Sequence, residues 1–149
     1  MSPQKKMYDL TVAINKLSRI FTDYVQREMV KSGQMDFHPT TAYVLMPLLE
    51  NEGMTLSDLA KRLHMKAPTI TVIAHRLEEK GLIRRERGRN DRRHVQVYLT
   101  KSGKQTARII ESIQQKAVQA AASGLTFDSI SLTQSTIERI ITNVHSTLN

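Results

Sequence analysis

Between Thr55 and Leu99 the apolar residues change their period from helical to alternating, with very little loop in between. Leu56, Leu59, Ala60 and Leu63 share one face of a short helix. Thr55, with Asp58 three residues on, has the form of a capping box at its start. After His64-Met65-Lys66 a second stripe, Ile70, Ile73, Ala74 and Leu77, predicts a helix over about 68–80 that Gly81 ends. Residues 82–86 and 95–99 then read as two strands joined by the turn Gly88-Arg89-Asn90-Asp91. Two short helices at a tight turn, followed at once by a hairpin, describe a helix-turn-helix with a wing. In such a unit the second helix can lie in the major groove of DNA and the hairpin tip can reach a neighbouring groove.

The flanks are helical. Leu10, Ile14, Leu17, Phe21, Tyr24 and Val25 recur at steps of three and four, which predicts a helix over about 6–31 that stops at Ser32-Gly33. Pro39 suits the first turn of a second helix carrying Tyr43, Val44, Met46, Leu48 and Leu49, and Pro47 inside it allows a kink or an early end. Thr100 caps a long helix over about 101–122, with Ile109, Ile113, Ala117, Ala120 and Ala121 inward. A last helix, about 131–147, shows Ile137, Ile140, Ile141, Val144 and Leu148. The expected fold is therefore mainly α: a winged helix-turn-helix lobe with a two-stranded wing, plus N- and C-terminal helices forming a dimerisation region. The division is 1–36 for the N-terminal dimerisation helix, 37–100 for the lobe, and 101–149 for the C-terminal dimerisation helices. Three amphipathic terminal helices have too little partner surface in one small domain, so pairing with a second copy is the simpler solution. An intramolecular bundle in a monomer is the alternative.

Charge is distributed unevenly. Net charge is +8, but residues 61–104 hold 13 basic and 4 acidic side chains, while the rest of the chain is close to neutral. Six arginines, Arg84, Arg85, Arg87, Arg89, Arg92 and Arg93, fall within ten residues. A solvated face can carry a mild excess; one this concentrated points to a polyanion, because phosphates release counterions when cations replace them.

Other chemistries find no support. There is no cysteine, which excludes disulfides, thiolate metal sites and thiol switches. No two of His38, His64, His75, His94 and His145 stand four apart beside a carboxylate, so no metal is expected. P-loop, GxSxG, HExxH and GxGxxG motifs are missing, so neither an enzyme nor a cofactor is expected. The seven methionines are scattered, and nothing supports oxidation sensing through them. No signal-like start and no run near the roughly 20 apolar residues of a membrane span occurs. The expectation is a soluble, cytoplasmic protein with no membrane partner.

From Leu56 to Lys104 the chain reads LSDLAKRLHMKAPTITVIAHRLEEKGLIRRERGRNDRRHVQVYLTKSGK. The L-x-x-L-A-x-x-L helix, the R-L-E-x-x-G-L-I exit from the next helix, D-R-R in the wing and L-T-x-x-G-K after it, in that order, resemble the MarR family of transcriptional regulators. Phe37-His38-Pro39 followed by Val44-Leu45 matches the family's second helix more loosely. The resemblance implies a non-enzymatic homodimer that binds double-stranded DNA at a pseudo-palindromic site. It further implies a repressor released by a small molecule, aromatic or phenolic, or by a redox signal. It makes Asp91 the carboxylate that orients an arginine, Arg93 the arginine entering the minor groove, and Arg89 and Arg92 phosphate or groove contacts. An Asp91–Arg93 pair that only stabilises the turn is the plainer reading. Two positions depart from the family pattern. His38 stands where Thr commonly caps the second helix, so a weaker cap is expected there. Pro68 replaces a small polar residue and removes a hydroxyl from the DNA side.

Rotation of the second short helix about its buried stripe turns Pro68, Val72 and His75 outward, flanked by Thr69, Thr71 and Arg76. Thr69, Thr71, His75 and Arg76 can hydrogen-bond base edges or phosphates, and Pro68 and Val72 can meet thymine methyls. Lys66 would sit by a phosphate. Packing of Val72 on a neighbouring helix is equally compatible. Leu17, Phe21, Tyr24, His38 and Met46 are candidates for a ligand pocket where the terminal helices meet the lobe, against ordinary core packing. The rival from another class is a winged-helix module that docks an acidic protein, or binds nucleic acid without sequence preference.

Overall fold

The computed structural model describes residues 2–87 and 95–147. Six helices and three short strands follow in the order α1 (Pro3–Lys31), α2 (Pro39–Glu50), β1 (Met54–Thr55), α3 (Leu56–Arg62), α4 (Ala67–Glu79), β2 (Ile83–Arg87), β3 (Val95–Leu99), α5 (Lys101–Ala122) and α6 (Phe127–Ser146). The chain divides into two compact units, residues 1–115 and 116–149.

Helix ends follow from local chemistry. The Ser2 hydroxyl accepts from the Lys5 N–H at 3.3 Å, and Pro3 supplies a preset φ, so α1 begins at Pro3 rather than near Lys6. Thr55 caps α3 through the Asp58 N–H at 3.1 Å, as its sequence predicts. α1, α3 and α4 all close with the same pair of backbone bonds. At the end of α4 these run from Gly81 N–H to the Glu78 carbonyl and from Leu82 N–H to the Leu77 carbonyl, both at 2.9 Å. Gly33 and Gly81 supply the left-handed residue after α1 and α4, but after α3 that residue is His64, at φ 50°. α6 starts four residues before the predicted Ser131, because Thr126 and Ser129 cap each other there. α2 runs through Pro47 to Glu50; the proline lies in the last turn and neither ends the helix nor shortens it.

Strands β2 and β3 form the expected antiparallel hairpin stem, with Ile83 opposite Leu99 and Arg85 opposite Val97. β1 adds a strand that the sequence reading did not include: it pairs Met54 with Val97 and makes a three-stranded sheet of order β1-β3-β2. Alternation puts Ile83, Val97 and Leu99 into the core. They meet Val44, Leu45 and Leu48 of α2, Leu59 of α3, Ile70 and Leu77 of α4, and Ile110 of α5 in one apolar cluster. The stripe assigned to α4 is buried in full: Ile70, Ile73, Ala74 and Leu77.

α5 differs from its expected inner face. Its buried residues are Gly103, Thr106, Ala107, Ile110 and Ile113, Ile109 is half-buried, and Ala120 and Ala121 are exposed. Gly103 explains the glycine of the L-T-x-x-G-K motif, since a Cβ there would lie 1.8 Å from the Leu82 carbonyl oxygen. Only that close approach lets Thr100 tie the strand end to the helix. Its hydroxyl donates to the Gly81 carbonyl at 2.6 Å and accepts from the Gly103 N–H at 3.0 Å. Much of the apolar surface on the terminal helices stays uncovered within the single chain. α6 buries none of its residues, and on α1 only Val25 and Met29 are buried.

Candidate nucleic-acid interface

The turn from Leu63 to Lys66 presents α4 with one face locked in the core and the other in solvent. Lys66 is the N-cap, but its side chain makes no capping bond. Pro68, Thr69, Thr71, Val72 and His75 are exposed, Val72 by 70%. An aliphatic side chain held that far out of the core is not packed on a neighbouring helix. The Thr71 hydroxyl donates back to the Ala67 carbonyl at 2.9 Å, so toward a ligand it is an acceptor. His75 Nδ1 lies 3.4 Å from Glu79, which leaves Nε2 for an outside partner.

Arg76 behaves differently from the rest. It is half-buried, and its Nη2 donates to Thr40 Oγ1 at 2.6 Å, joining α4 to the first turn of α2. Thr40 Oγ1 is also 2.8 Å from His38 Nδ1, and the Thr40 N–H donates to the same nitrogen at 3.2 Å. His38 therefore does cap α2, which corrects the expectation of a weak start; an unprotonated ring nitrogen accepts as a hydroxyl oxygen would. Nothing in the residue pattern marks Thr40 beyond its place two residues after a capping position.

The arginine run separates into two groups. Arg84 and Arg85 serve the lobe itself. Arg84 stacks on Tyr98, its cross-strand partner, with the guanidinium carbon 4.7 Å from the ring centre, and pairs with Glu86. Arg85 Nε donates to Glu78 at 2.8 Å and its backbone N–H donates to the same carboxylate at 3.0 Å. The Arg85 hydrogen bond holds the Glu78 carboxyl below the usual carboxylate range. Arg89, Asp91, Arg92 and Arg93 lie outside the described residues. Arg62 and Lys104 pair with Glu50 and Glu52. Among the described residues Lys61 and Lys66 have no such partner, and Arg76 has only the neutral Thr40 hydroxyl, so Lys66 and Arg76 both carry unneutralised positive charge on the α4 side.

Of the pocket candidates, Phe21 alone lines the cleft between α1 and α2, a space of about 190 Å³ that also touches Thr22, Val25, Pro39, Ala42 and Tyr43. Leu17 is exposed, Tyr24 and Met46 pack against the core, and His38 caps α2. Among the described residues no cluster of His, Asp and Glu could hold a metal ion, and no helix is long and apolar enough to cross a membrane.

Residues 38–95 match the MarR family. The HTH-type transcriptional regulator TtmR of Methylorubrum extorquens is 39% identical over 61 residues, which are 41% of this chain and 31% of that protein. The HTH-type transcriptional repressor MdtR of Bacillus subtilis is 29% identical over 102 residues, 68% of this chain and 64% of that one. The chain thus spans less than two thirds of the length of either relative. The fold is also that of S. aureus MepR, solved as a DNA complex, with a TM-score of 0.80 over 91% of this chain and 97% of that one at 22% identity. The match runs from the cap of α2 to the first residue of β3, so this stretch of the chain is a MarR-type winged helix-turn-helix lobe.

Proposed function

We infer that the protein is a DNA-binding transcriptional regulator, a homodimeric repressor that a small molecule releases from its operator. One observation carries this reading: α4 holds Lys66, Pro68, Thr69, Thr71, Val72 and His75 in solvent on a helix whose opposite face is fixed in the core. A helix so mounted can enter the major groove as a rigid body, with Lys66 on a phosphate, Thr69 and Thr71 at base edges, and Pro68 and Val72 against thymine methyls. The apolar contacts favour an A/T-rich site. Arg76, tied to Thr40, lies at the groove edge and meets phosphate. In the wing, Asp91 orients Arg93 toward the minor groove, and Arg89 and Arg92 meet backbone or groove.

Uncovered apolar residues support the dimer: Met7, Tyr8, Leu17 and Ile20 on α1, and Ile130, Leu132, Ile141 and Val144 on α6. Pairing these faces between two copies, residues 1–36 and 101–149 acting as the dimerisation region, buries them by two-fold symmetry. Two lobes then meet half-sites about 34–36 Å apart. The relatives' names, a repressor among them, and the DNA complex of MepR agree with this reading. The proposed place for an aromatic or phenolic effector is the mostly apolar cleft beside Phe21; at about 190 Å³ it lies under the usual lower bound of about 300 Å³, so α1 and α2 must part to admit one.

Salt-dependent binding tests the reading. Affinity for a preferred duplex should fall steeply with salt. Binding with no sequence preference, or only to an acidic protein, would replace it with the docking-module alternative.

A further inference from the structure

We propose that the cavity between the α1–α2 loop, the end of α4 and the start of α5 binds a small polyhydroxylated carboxylate. It encloses about 460 Å³, lies wholly within the first compact unit, and is separate from the cleft beside Phe21. Small-molecule sites start at about 300 Å³. Thr41 and Thr106 line it and are only 4% and 6% exposed. Neither hydroxyl has a hydrogen-bond partner among the described residues. Yet among those residues no unpartnered side-chain oxygen or nitrogen is sealed from solvent. Both hydroxyls are therefore reached from solvent, and the cavity is the space that their residues line; each can donate and accept. Side chains this buried ordinarily find partners, and a ligand with hydroxyls of its own would supply them.

The charged groups select the rest of the ligand. Lys80 lines the same space and spends one donor on the Asp36 carbonyl at 2.8 Å, which leaves two for a carboxylate. Ser102 lines it from the first turn of α5, where the backbone N–H has no intrahelical acceptor and the helix end favours negative charge. The Asp36 carboxylate, also at this cavity, would repel a second anion but can accept a hydroxyl. One carboxylate at Lys80 and Ser102, with hydroxyls toward Thr41, Thr106 and Asp36, satisfies all five. The site does not depend on the DNA-binding reading and can be tested without DNA.

The experiment is titration of the full chain with gluconate, and with sorbitol as the uncharged polyol, followed by amide NMR. Saturable shifts at Thr41, Lys80, Ser102 and Thr106 are expected with gluconate, with sorbitol about tenfold weaker or more, as befits loss of charge-assisted bonds. Thr41→Val and Thr106→Val, near-isosteric, should each weaken gluconate binding about three- to tenfold. Lys80→Gln should weaken it about tenfold or more. Thermal unfolding reports whether each variant is folded, and either valine variant suffices. Shifts that do not saturate or fall elsewhere, equal affinity for sorbitol, or folded valine variants that bind like the parent would overturn the proposal.

Discussion

Glu78, in the last turn of α4, accepts three hydrogen bonds from Arg85 of β2: from Nε at 2.8 Å, from Nη2 at 2.5 Å and from the backbone N–H at 3.0 Å. One carboxylate thereby fixes the root of the wing to the helix that faces the groove. This contact ties together the two elements proposed to touch DNA.

Replacing Glu78 with Gln keeps an acceptor for the backbone N–H and removes the charge. Both side chains are about a quarter to a third exposed, at 26% and 35%, so solvent screens the pair. The expected loss is about 1 kcal/mol at neutral pH. Its pH dependence follows from the lowered Glu78 pKa. Because the folded state binds the proton less readily than the unfolded chain, the contribution is complete above the ordinary carboxylate range. It disappears as pH falls through the lower folded value. Urea unfolding of parent and variant should show a stability gap at pH 7 that closes on acidification; a gap that persists below the carboxylate range contradicts it.

His64 sits at φ 50° in the turn of the helix-turn-helix, where glycine is the usual occupant. A β-branched side chain is poorly suited there. His64→Val should be less stable than His64→Gly by about 1–2 kcal/mol, the cost of the left-handed conformation. Denaturant midpoints at constant slope measure the difference, and equal midpoints would show that the turn relaxes freely.

Gly103 admits no side chain at all. A methyl 1.8 Å from a backbone carbonyl oxygen forces β2 and α5 apart. Gly103→Ala should cost about 3 kcal/mol or more, near the upper end for overpacking, despite alanine's better helix propensity. Thermal unfolding of the variant at or above the parent midpoint would refute the contact.

Two substitutions separate positioning from reading on DNA. Lys66→Ala should weaken all duplexes alike and reduce the slope of log affinity against log salt by about one. Arg93→Ala should cost about 1–3 kcal/mol and relax preference at the edge of the site. Fluorescence anisotropy across salt concentrations distinguishes the two patterns, and an Arg93→Ala protein with unaltered operator affinity would remove that residue from the wing's role.

What the chain shows in its letters is what has a period. The α4 stripe Ile70, Ile73, Ala74 and Leu77 fixes which side faces out, and all four are buried. β1 escapes notice because two residues, Met54 and Thr55, are too few to alternate; only pairing with Val97 and Gln96 makes them a strand. Likewise, the start of α6 is set by the mutual cap of Thr126 and Ser129, polar residues that carry no apolar period. α5 carries apolar residues on adjoining faces, so the stripe through Ile109 and Ala117 is as regular as the one through Ala107 and Ile110 that packs on the lobe. Composition marks the arginine run as basic but cannot tell Arg84 and Arg85, committed to Tyr98 and Glu78, from their neighbours. That distinction needs the register of β2 against β3.

Selection of bound sequences from random duplex DNA decides whether two copies of α4 read a repeated site. An A/T-rich inverted repeat whose half-site centres lie about 10–10.5 base pairs apart should be enriched. A pool that stays random after repeated selection, or a single half-site with no repeat, would contradict it.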